Sequence, residues 1–176
     1  MNHICKIALG DMAALEALYE QHKVRVYRLA LSMLGDTYLA EDVTQETFLR
    51  IQQHASSYRR NISEAAWIAT IARNLSYDCL RRRSREISDS LEQESGRESP
   101  LADALEQQAV ERADGTSDLY YLDLVTSLLP QEQEIVNLRI LADLSWKEIG
   151  QITGQKADAC RKRYRRALEK LEHRLD

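Results

Sequence analysis

Apolar side chains recur every three or four residues along most of this 176-residue chain. That spacing places them on one face of an α-helix, whereas a half-buried strand would alternate apolar and polar residues. Glycine occurs six times and proline twice, which is too seldom for the many turns of a β-sheet protein. The pattern predicts an all-α fold, and the buried face of its first long helix contains Leu15, Leu18, Val26, Leu29 and Met33.

The net charge of −4 conceals three segments of different charge. Residues 1–85 contain 12 basic and 9 acidic residues, residues 86–124 contain 2 and 11, and residues 125–176 contain 10 and 8. The segment at 86–118 is also poor in apolar side chains, which is typical of a flexible linker with at most a weak helix at 101–112. We therefore expect two small helical domains, 1–85 and 119–176, joined by an acidic flexible linker.

Several classes of protein are excluded by the composition. No run approaches the ~18 apolar residues of a membrane span, and the first residues lack the apolar core of a secretion signal, so we expect a cytoplasmic protein. Cys5, Cys79 and Cys160 are too scattered for a disulfide framework or a zinc site. Phosphate-binding glycine loops and the common catalytic motifs are also missing. We expect no enzyme activity, no metal and no cofactor.

The second predicted helix, residues 39–54, has two contrasting faces. At 100° per residue, its apolar face contains Val43, Thr44, Thr47, Phe48 and Ile51. Its opposite face contains Asp42, Gln45, Glu46 and Leu49. A leucine among acidic and amide side chains makes this face a candidate contact patch, although singly exposed leucines are also common.

A loop at residues 56–63 leads into a third predicted helix at 64–83. The buried stripe of this helix contains Ile68, Ile71, Leu75 and Cys79. The opposite stripe mixes basic and aromatic side chains, at Thr70, Arg73, Tyr77 and Arg81. Basic groups attract a nucleic-acid backbone, and an aromatic ring stacks on an unpaired base for ~1–3 kcal/mol. This stripe is either a single-strand binding site or the polar face of an ordinary amphipathic helix.

The C-terminal segment has the pattern of a helix-turn-helix. Ser145 and Glu148 have the spacing of a capping box that begins a short helix, and Gly154 is suited to end it. The last predicted helix, residues 157–174, is basic on its outer face. Such a helix enters the DNA major groove. There Arg161, Lys162 and Arg165 would reach base edges, while Arg163 and Arg166 would bind phosphates on either side.

Three separated motifs resemble one known family over nearly the whole chain. The first is Leu34-Gly35-Asp36 followed by residues 40–49, Ala-Glu-Asp-Val-Thr-Gln-Glu-Thr-Phe-Leu. The second is residues 67–75, Trp-Ile-Ala-Thr-Ile-Ala-Arg-Asn-Leu, with Asp78 and three arginines at 81–83. The third is Leu129-Pro130 with Leu138-Arg139 and residues 144–149, Leu-Ser-Trp-Lys-Glu-Ile. The sequence resembles the extracytoplasmic-function sigma factors, the short two-domain branch of the sigma-70 family.

This resemblance implies a role for each face. The protein would bind core bacterial RNA polymerase and direct promoter-specific initiation, with sigma region 2 in residues 1–85 and region 4 in residues 119–176. The residues docking on the clamp helices of the largest subunit would be Asp42, Gln45, Glu46 and Leu49. The residues that melt and hold the −10 element would be Tyr58, Arg59, Asn61, Thr70, Arg73, Asn74, Tyr77 and Arg81. The residues that bind the −35 element would be Lys156, Arg161, Lys162, Arg163, Arg165 and Arg166.

The resemblance also implies further partners. Region 4 would contact the flap of the second-largest polymerase subunit, the acidic linker would pass towards the RNA exit path, and an anti-sigma factor would hold the protein inactive. The sequence departs from the family at Arg60, where a glycine is common, at Glu64, where an aromatic residue is common, and at Glu134, where a base is expected. The recognition helix carries Asp-Ala-Cys-Arg-Lys-Arg at 158–163 in place of a Gly-Thr-Val-Lys-Ser-Arg type of string. Promoter preference and the flap contact therefore stay open.

A free-standing helix-turn-helix regulator that binds DNA as a dimer is the alternative. It accounts for residues 119–176 but leaves residues 1–85 without a role. It predicts tight binding to duplex DNA by the protein alone. A sigma factor would instead bind weakly alone and gain its specificity with core polymerase.

Overall fold

The computed structural model describes residues 2–93 and 116–175, and the regular structure in these ranges is helical. The N-terminal part contains α1 (His3–Ile7), α2 (Met12–Leu34), α3 (Thr37–His54), a 3-10 turn (Ala55–Ser57) and α4 (Glu64–Gln93). The C-terminal part contains α5 (Thr116–Thr126), α6 (Pro130–Ile140), α7 (Trp146–Thr153) and α8 (Ala157–Leu175). The expected all-α fold with two helical domains is confirmed for these residues. The weak helix expected at 101–112 lies outside them, as does most of the segment expected to be a linker.

Short polar side chains and a glycine fix where the first long helices begin and end. The carboxylate of Asp11 accepts a hydrogen bond from Ala14 N at 3.0 Å, and that of Asp36 accepts one from Leu39 N at 3.1 Å. Each bond satisfies a backbone N–H that has no acceptor within its own helix. Gly35 ends α2 at a φ of 63°, a left-handed conformation that favours glycine. The chain therefore turns from α2 directly into α3.

Helix α3 buries the face that the sequence predicts. Its buried side chains include Val43, Thr44, Thr47, Phe48 and Ile51, and the helix packs against both α2 and α4. The hydroxyls of Thr44 and Thr47 donate to backbone carbonyl oxygens one turn earlier, at 2.7 and 2.6 Å. Because these bonds satisfy the buried hydroxyls, threonine can occupy a face that is otherwise apolar.

Helix α4 is longer than the sequence pattern predicts. Two of its four predicted buried residues, Ile68 and Leu75, are buried, and the other two are half-buried. The helix continues to Gln93 instead of ending near residue 83, because residues 84–93 contain neither glycine nor proline. Helix α5 likewise begins three residues before the expected start of the C-terminal domain.

Glu132 connects the start of α6 to α8. Its carboxylate accepts hydrogen bonds from Leu129 N at 3.3 Å and from Nζ of Lys170 at 2.7 Å. The Lys170 ammonium lowers the pKa of this carboxyl below its usual range. Pro130 occupies the first position of α6, where its missing N–H costs no helical hydrogen bond. These contacts fix α8 against the beginning of α6.

The helix-turn-helix forms at the predicted residues. Ser145 Oγ accepts a hydrogen bond from Glu148 N at 3.4 Å, and the Glu148 carboxylate accepts one from Ser145 N at 2.9 Å, which is the predicted capping box. Gly154 ends α7 at a φ of 69°. Gly150 lies where α7 meets the following turn, and a Cβ at this position would be 2.6 Å from the carbonyl oxygen of Gln155. This close approach requires a glycine.

Buried apolar side chains of both domains form one continuous cluster. The N-terminal domain contributes fully buried residues that include Ile4, Leu18, Ile51 and Ile68. The C-terminal domain contributes Ile135, Leu138, Leu144 and Ile149. Helix α2 contacts α6, and helix α4 contacts α7. The two domains therefore pack against each other in this structure.

Replacing Gly150 with alanine is expected to lower the free energy of unfolding by about 1–3 kcal/mol. The added Cβ would meet the backbone of the turn, which can move only if the two helices separate. Urea denaturation measures this, and Gln151→Ala is the matched control because Gln151 is exposed on the same helix. Equal unfolding midpoints for the two variants would contradict the close approach.

The stability of the fold is expected to fall as the pH decreases below 6.5, because His22 is buried within the N-terminal domain. Burial, and then the nearby Arg25, lower the pKa of His22 below its usual 6.5. The unfolded chain therefore binds a proton at a pH where the folded chain does not, which favours unfolding in acid. Denaturation at pH 7.5 and 5.5 tests this, and His22→Leu should show a smaller pH difference than the natural sequence.

Candidate polymerase and DNA interfaces

The outward face of α3 presents the four residues predicted to bind polymerase. Asp42, Gln45 and Leu49 are exposed, and 51% of the Leu49 surface is accessible to solvent. Glu46 is half-buried and accepts a hydrogen bond from Arg50 Nε at 2.9 Å. The opposite face of α3 is buried, which fixes the rotation of the helix about its own axis. The four predicted side chains therefore share one surface. An exposed leucine beside carboxylates suits a partner that is apolar at the contact and basic around it.

This face forms one wall of an open groove with a volume of about 1200 Å³. The other wall is a later part of α4, where Arg81, Arg82, Arg83 and Arg85 line the groove. Arg81 pairs with Asp78 of its own helix, yet 68% of its side chain stays accessible. The groove therefore has an acidic and apolar wall opposite a basic one, and the −10 candidate Arg81 lies on the basic wall.

The loop predicted to hold a base contains one anchored and two exposed candidates. The Tyr58 hydroxyl donates to the carbonyl oxygen of Ile62 at 2.7 Å. The Tyr58 ring lies edge-on to Trp67, with 5.3 Å between the ring centroids. These contacts leave Tyr58 half-buried, whereas Arg59 and Asn61 are exposed. Tyr58 therefore shapes the loop, and the other two side chains face solvent.

Glu64, where the family commonly has an aromatic residue, holds the N-terminal helix in place. One of its carboxylate oxygens accepts a hydrogen bond from Ile4 N at 3.2 Å, and the other lies 3.4 Å from Nδ1 of His3. An acid in the first turn of a helix also complements the helix dipole. The departure from the family pattern therefore links α1 to the start of α4, directly after the loop.

The stripe on α4 forms as predicted, but two of its members are paired with the other domain. Nε of Arg73 and the hydroxyl of Tyr77 both donate to Oε1 of Glu134, the second at 3.2 Å. The Arg73 guanidinium also lies 4.8 Å from the centroid of the Tyr77 ring. Burial, followed by the Glu134 carboxylate, raises the pKa of Tyr77. Thr70 donates within its own helix, and Asn74 is exposed.

Aromatic contacts fix how the two helices of the helix-turn-helix cross. The rings of Trp146 and Tyr164 meet edge-to-face with 5.1 Å between their centroids. Arg139 of α6 lies 5.1 Å from the centroid of Trp146 and donates to the carbonyl oxygen of Leu144 at 2.8 Å. Cys160 lies on the inner face of α8 and is fully buried. The outer face of α8 is therefore presented in one orientation.

The residues predicted to bind the −35 element lie on the basic face of α8, with Lys156 directly before the helix. Five of the six are exposed, namely Lys156, Arg161, Lys162, Arg165 and Arg166. The sixth, Arg163, is half-buried and donates to Oε1 of Gln155 at 2.6 Å, which holds it against the turn. Arg165 lies 3.9 Å from the Glu169 carboxylate, and both side chains are well exposed. Such a surface pair contributes little energy and can be exchanged for a phosphate contact.

The contacts between the domains are the part of the site that sequence reasoning missed. The sequence marks Glu134 only as an acid where the family has a base, at a position expected to contact polymerase. It does not identify Glu134 as the partner of Arg73 and Tyr77 on α4. Gln133 Nε2 donates to the carbonyl oxygen of Ser32 at 3.0 Å, and Glu148 lies near Ser63 of the loop. These partners lie between 57 and 101 positions apart in the chain, so no local pattern marks them.

The described ranges also bear on membrane and metal binding. Between residues 2 and 93 and between 116 and 175, no helix is long and apolar enough to cross a membrane. Three metal-ligating side chains do not gather anywhere in this described part of the chain. All three cysteines are free thiols.

Both domains match known families. Residues 18–86 match Sigma-70 region 2, and residues 118–171 match Sigma-70 region 4. The chain is 34% identical over 171 residues to the ECF RNA polymerase sigma factor SigE of Mycolicibacterium smegmatis, covering 96% of this chain but only 65% of SigE, less than two thirds of its length. It is 30% identical over 166 residues to the RNA polymerase sigma factor CarQ of Myxococcus xanthus, covering 94% of this chain and 91% of CarQ.

A solved structure has the same fold. The sigma factor RpoE from Bartonella quintana, crystallised with the anti-sigma factor NepR, superposes with a TM-score of 0.71 at 23% identity. The superposition covers 91% of this chain and 95% of the RpoE chain. At this identity the likeness shows the fold alone, and the family follows from sequence. The matches to both sigma regions and to nearly all of CarQ show that this chain belongs to the extracytoplasmic-function sigma factors of the sigma-70 family.

Proposed function

We propose that this protein binds core bacterial RNA polymerase in the cytoplasm and directs promoter-specific initiation of transcription. The observation that carries the proposal is the exposed face of Asp42, Gln45, Glu46 and Leu49 on α3. This face lies on a different domain from the basic helix α8. A regulator that only binds DNA needs the basic helix and has no use for a second contact surface on a separate domain.

The clamp helices of the largest polymerase subunit are the proposed partner of this face. Leu49 would supply apolar contact area, and Asp42 and Glu46 would pair with basic side chains around it. Truncating a well-packed central residue usually weakens an interface more than removing a charge at its rim. We therefore expect Leu49 to contribute affinity and the carboxylates to contribute orientation and association rate.

The loop and the α4 stripe are proposed to hold the −10 element as a single strand. Arg59, Arg73 and Arg81 would attract the backbone, and the ring of Tyr77 would stack on an exposed base. Asn61 and Asn74 would bond base edges, with Tyr58 and Thr70 supporting the surface from within. Unstacking a base costs a few kcal/mol, which these contacts have to offset.

Helix α8 is proposed to lie in the major groove of the −35 element. Arg161, Lys162 and Arg165 would read base edges, while Lys156, Arg163 and Arg166 would bind phosphates. Asp158 is exposed in the first turn of α8, and its carboxylate can accept a hydrogen bond from cytosine N4. This surface would therefore favour a −35 sequence with a cytosine opposite Asp158 and guanines opposite the basic residues that follow it in the helix.

Two further partners follow from the family. We propose that the C-terminal domain contacts the flap of the second-largest polymerase subunit. We also propose that an anti-sigma factor regulates this protein, and the anti-sigma-bound RpoE chain shares its fold. The open groove between α3 and α4 is large enough to take a helix of such a partner.

Transcription in vitro tests the proposal directly. Core bacterial RNA polymerase is mixed with this protein and a fragmented genomic library, and transcript starts are mapped. Discrete starts that share two upstream motifs are the expected result. An absence of protein-dependent starts, together with tight binding of the protein alone to duplex DNA, would instead favour a free-standing regulator.

Replacing both Asp42 and Leu49 with alanine is expected to weaken binding to core polymerase by five- to thirtyfold, which is about 1–2 kcal/mol. Promoter preference should not change, because neither residue lies on a DNA-binding face. Glu16→Ala with Val24→Ala is the matched control, since it removes an exposed acid and an exposed apolar side chain from α2. Titration of labelled protein with core polymerase measures the affinity of each double variant. Equal affinities for the two would show that Asp42 and Leu49 do not form the docking face.

Replacing Arg161 with alanine is expected to cost about 1–3 kcal/mol at the preferred −35 sequence and to relax the preference at one base pair. The reason is that a bidentate arginine contact distinguishes guanine from the other bases. Arg174→Ala, at the far end of the same helix, is the control for charge. Transcription from promoters with single −35 changes is the measurement, and a uniform loss at every variant would assign Arg161 to phosphate binding.

A further inference from the structure

We propose that the C-terminal domain covers Arg73 and Tyr77 of the −10 stripe of α4 in the free protein, and that Glu134 takes the place of a DNA phosphate on Arg73. The protein would then be autoinhibited for −10 binding by its own helix-turn-helix domain. This inference rests on the proposed function, because it assumes that the stripe binds the −10 element.

The contact at Glu134 involves the two stripe residues with the most evident DNA chemistry. Arg73 supplies the charge for a backbone and Tyr77 supplies the ring for a base, and both donate to the same carboxylate oxygen. Only 22% of the Arg73 side chain and 13% of the Glu134 side chain remain accessible. A carboxylate and a phosphate are alternative partners for one guanidinium. A DNA strand must therefore displace Glu134 before it can reach Arg73.

Several other contacts hold the domain in this covering position. Gln133 bonds to the end of α2 through the carbonyl oxygen of Ser32, and Glu148 lies near Ser63 beside the base-binding loop. Ala142, which follows α6, lines a small cavity together with Val26 of α2 and residues of α4, and it belongs to the same buried apolar cluster. The covering domain therefore lies over Arg73 and Tyr77, and shared apolar burial stabilises it in addition to the ion pair.

The other two proposed binding faces stay open in the same arrangement. Asp42, Gln45 and Leu49 are exposed on α3, and Arg161 and Lys162 are exposed on α8. The closed protein can therefore dock on polymerase while Arg73 and Tyr77 of its single-strand site are covered. Such a device would prevent the free protein from binding single-stranded nucleic acid elsewhere in the cell.

Charge reversal at Glu134 tests the inference in the full-length protein. Glu134→Lys removes the acceptor and repels Arg73, so affinity for single-stranded DNA should rise roughly tenfold over the natural sequence. Asp123→Lys is the matched control, since it makes the same charge change at an exposed acid of α5. The probe is a fluorescent 20-nucleotide DNA strand of random sequence, and binding is followed by anisotropy at low salt.

Two further variants make the result specific. Adding Arg73→Ala to Glu134→Lys should abolish the gain, because the gain depends on releasing Arg73. Glu134→Gln keeps the size of the side chain, and it should give a smaller gain and decide the question if the lysine variant does not fold.

The outcomes separate this inference from the proposed function. Equal DNA affinities for Glu134→Lys and Asp123→Lys, or a gain that survives Arg73→Ala, would overturn the autoinhibition. If the natural sequence still gives discrete transcript starts with core polymerase in that case, the proposed function stands without it. If core polymerase gives no starts, the proposed function itself has failed.

Discussion

Apolar burial between the two helical domains is the interaction on which the arrangement of every polar face depends. Isoleucine and leucine side chains from α1 to α4 meet those of α6 and α7 in one cluster. Fully burying one such side chain stabilises a fold by ~1.5–3 kcal/mol. Because the cluster fixes which side of each helix faces inward, it also decides that the α3 face with Leu49 and the basic face of α8 point outward. For the same reason Arg73 and Tyr77 of α4 lie under the other domain.

Charge explains how a chain of net charge −4 presents DNA-binding surfaces. Screening limits each charge to a range of about 10 Å, so a local stripe matters more than the total. Some acids pair with bases elsewhere in the chain, as Glu132 does with Lys170 and Glu134 does with Arg73. The bases left exposed on α8 are therefore concentrated on the surface that is proposed to meet DNA.

The sequence predicts the local parts of this structure well and the long-range parts poorly. The buried and exposed faces of α3 follow from a period of 3.6 residues, and the capping box at Ser145 follows from spacing alone. The predicted end of α4 near residue 83 is wrong, because the change to an acidic segment at residue 86 does not by itself end a helix. The partnership of Arg73 with Glu134 spans 61 positions, and no periodicity, cap or turn records a contact of that range. The only sign of this contact in the sequence is that Glu134 is an acid at a position where a base is expected.

The closed arrangement restricts what can open it. A ligand shifts a two-state equilibrium only through its different affinity for the two states. The α3 face is exposed in the closed protein, so docking of the clamp helices on Asp42 and Leu49 alone would favour neither state. Opening has to come from contacts that the closed form hides or strains. One such contact is that of the −10 strand, which competes for Arg73 and Tyr77. The other kind is any polymerase or promoter contact that pulls α6 away from α2. Promoter DNA would in that case both release the stripe and occupy it, which ties opening of the factor to the presence of its own target.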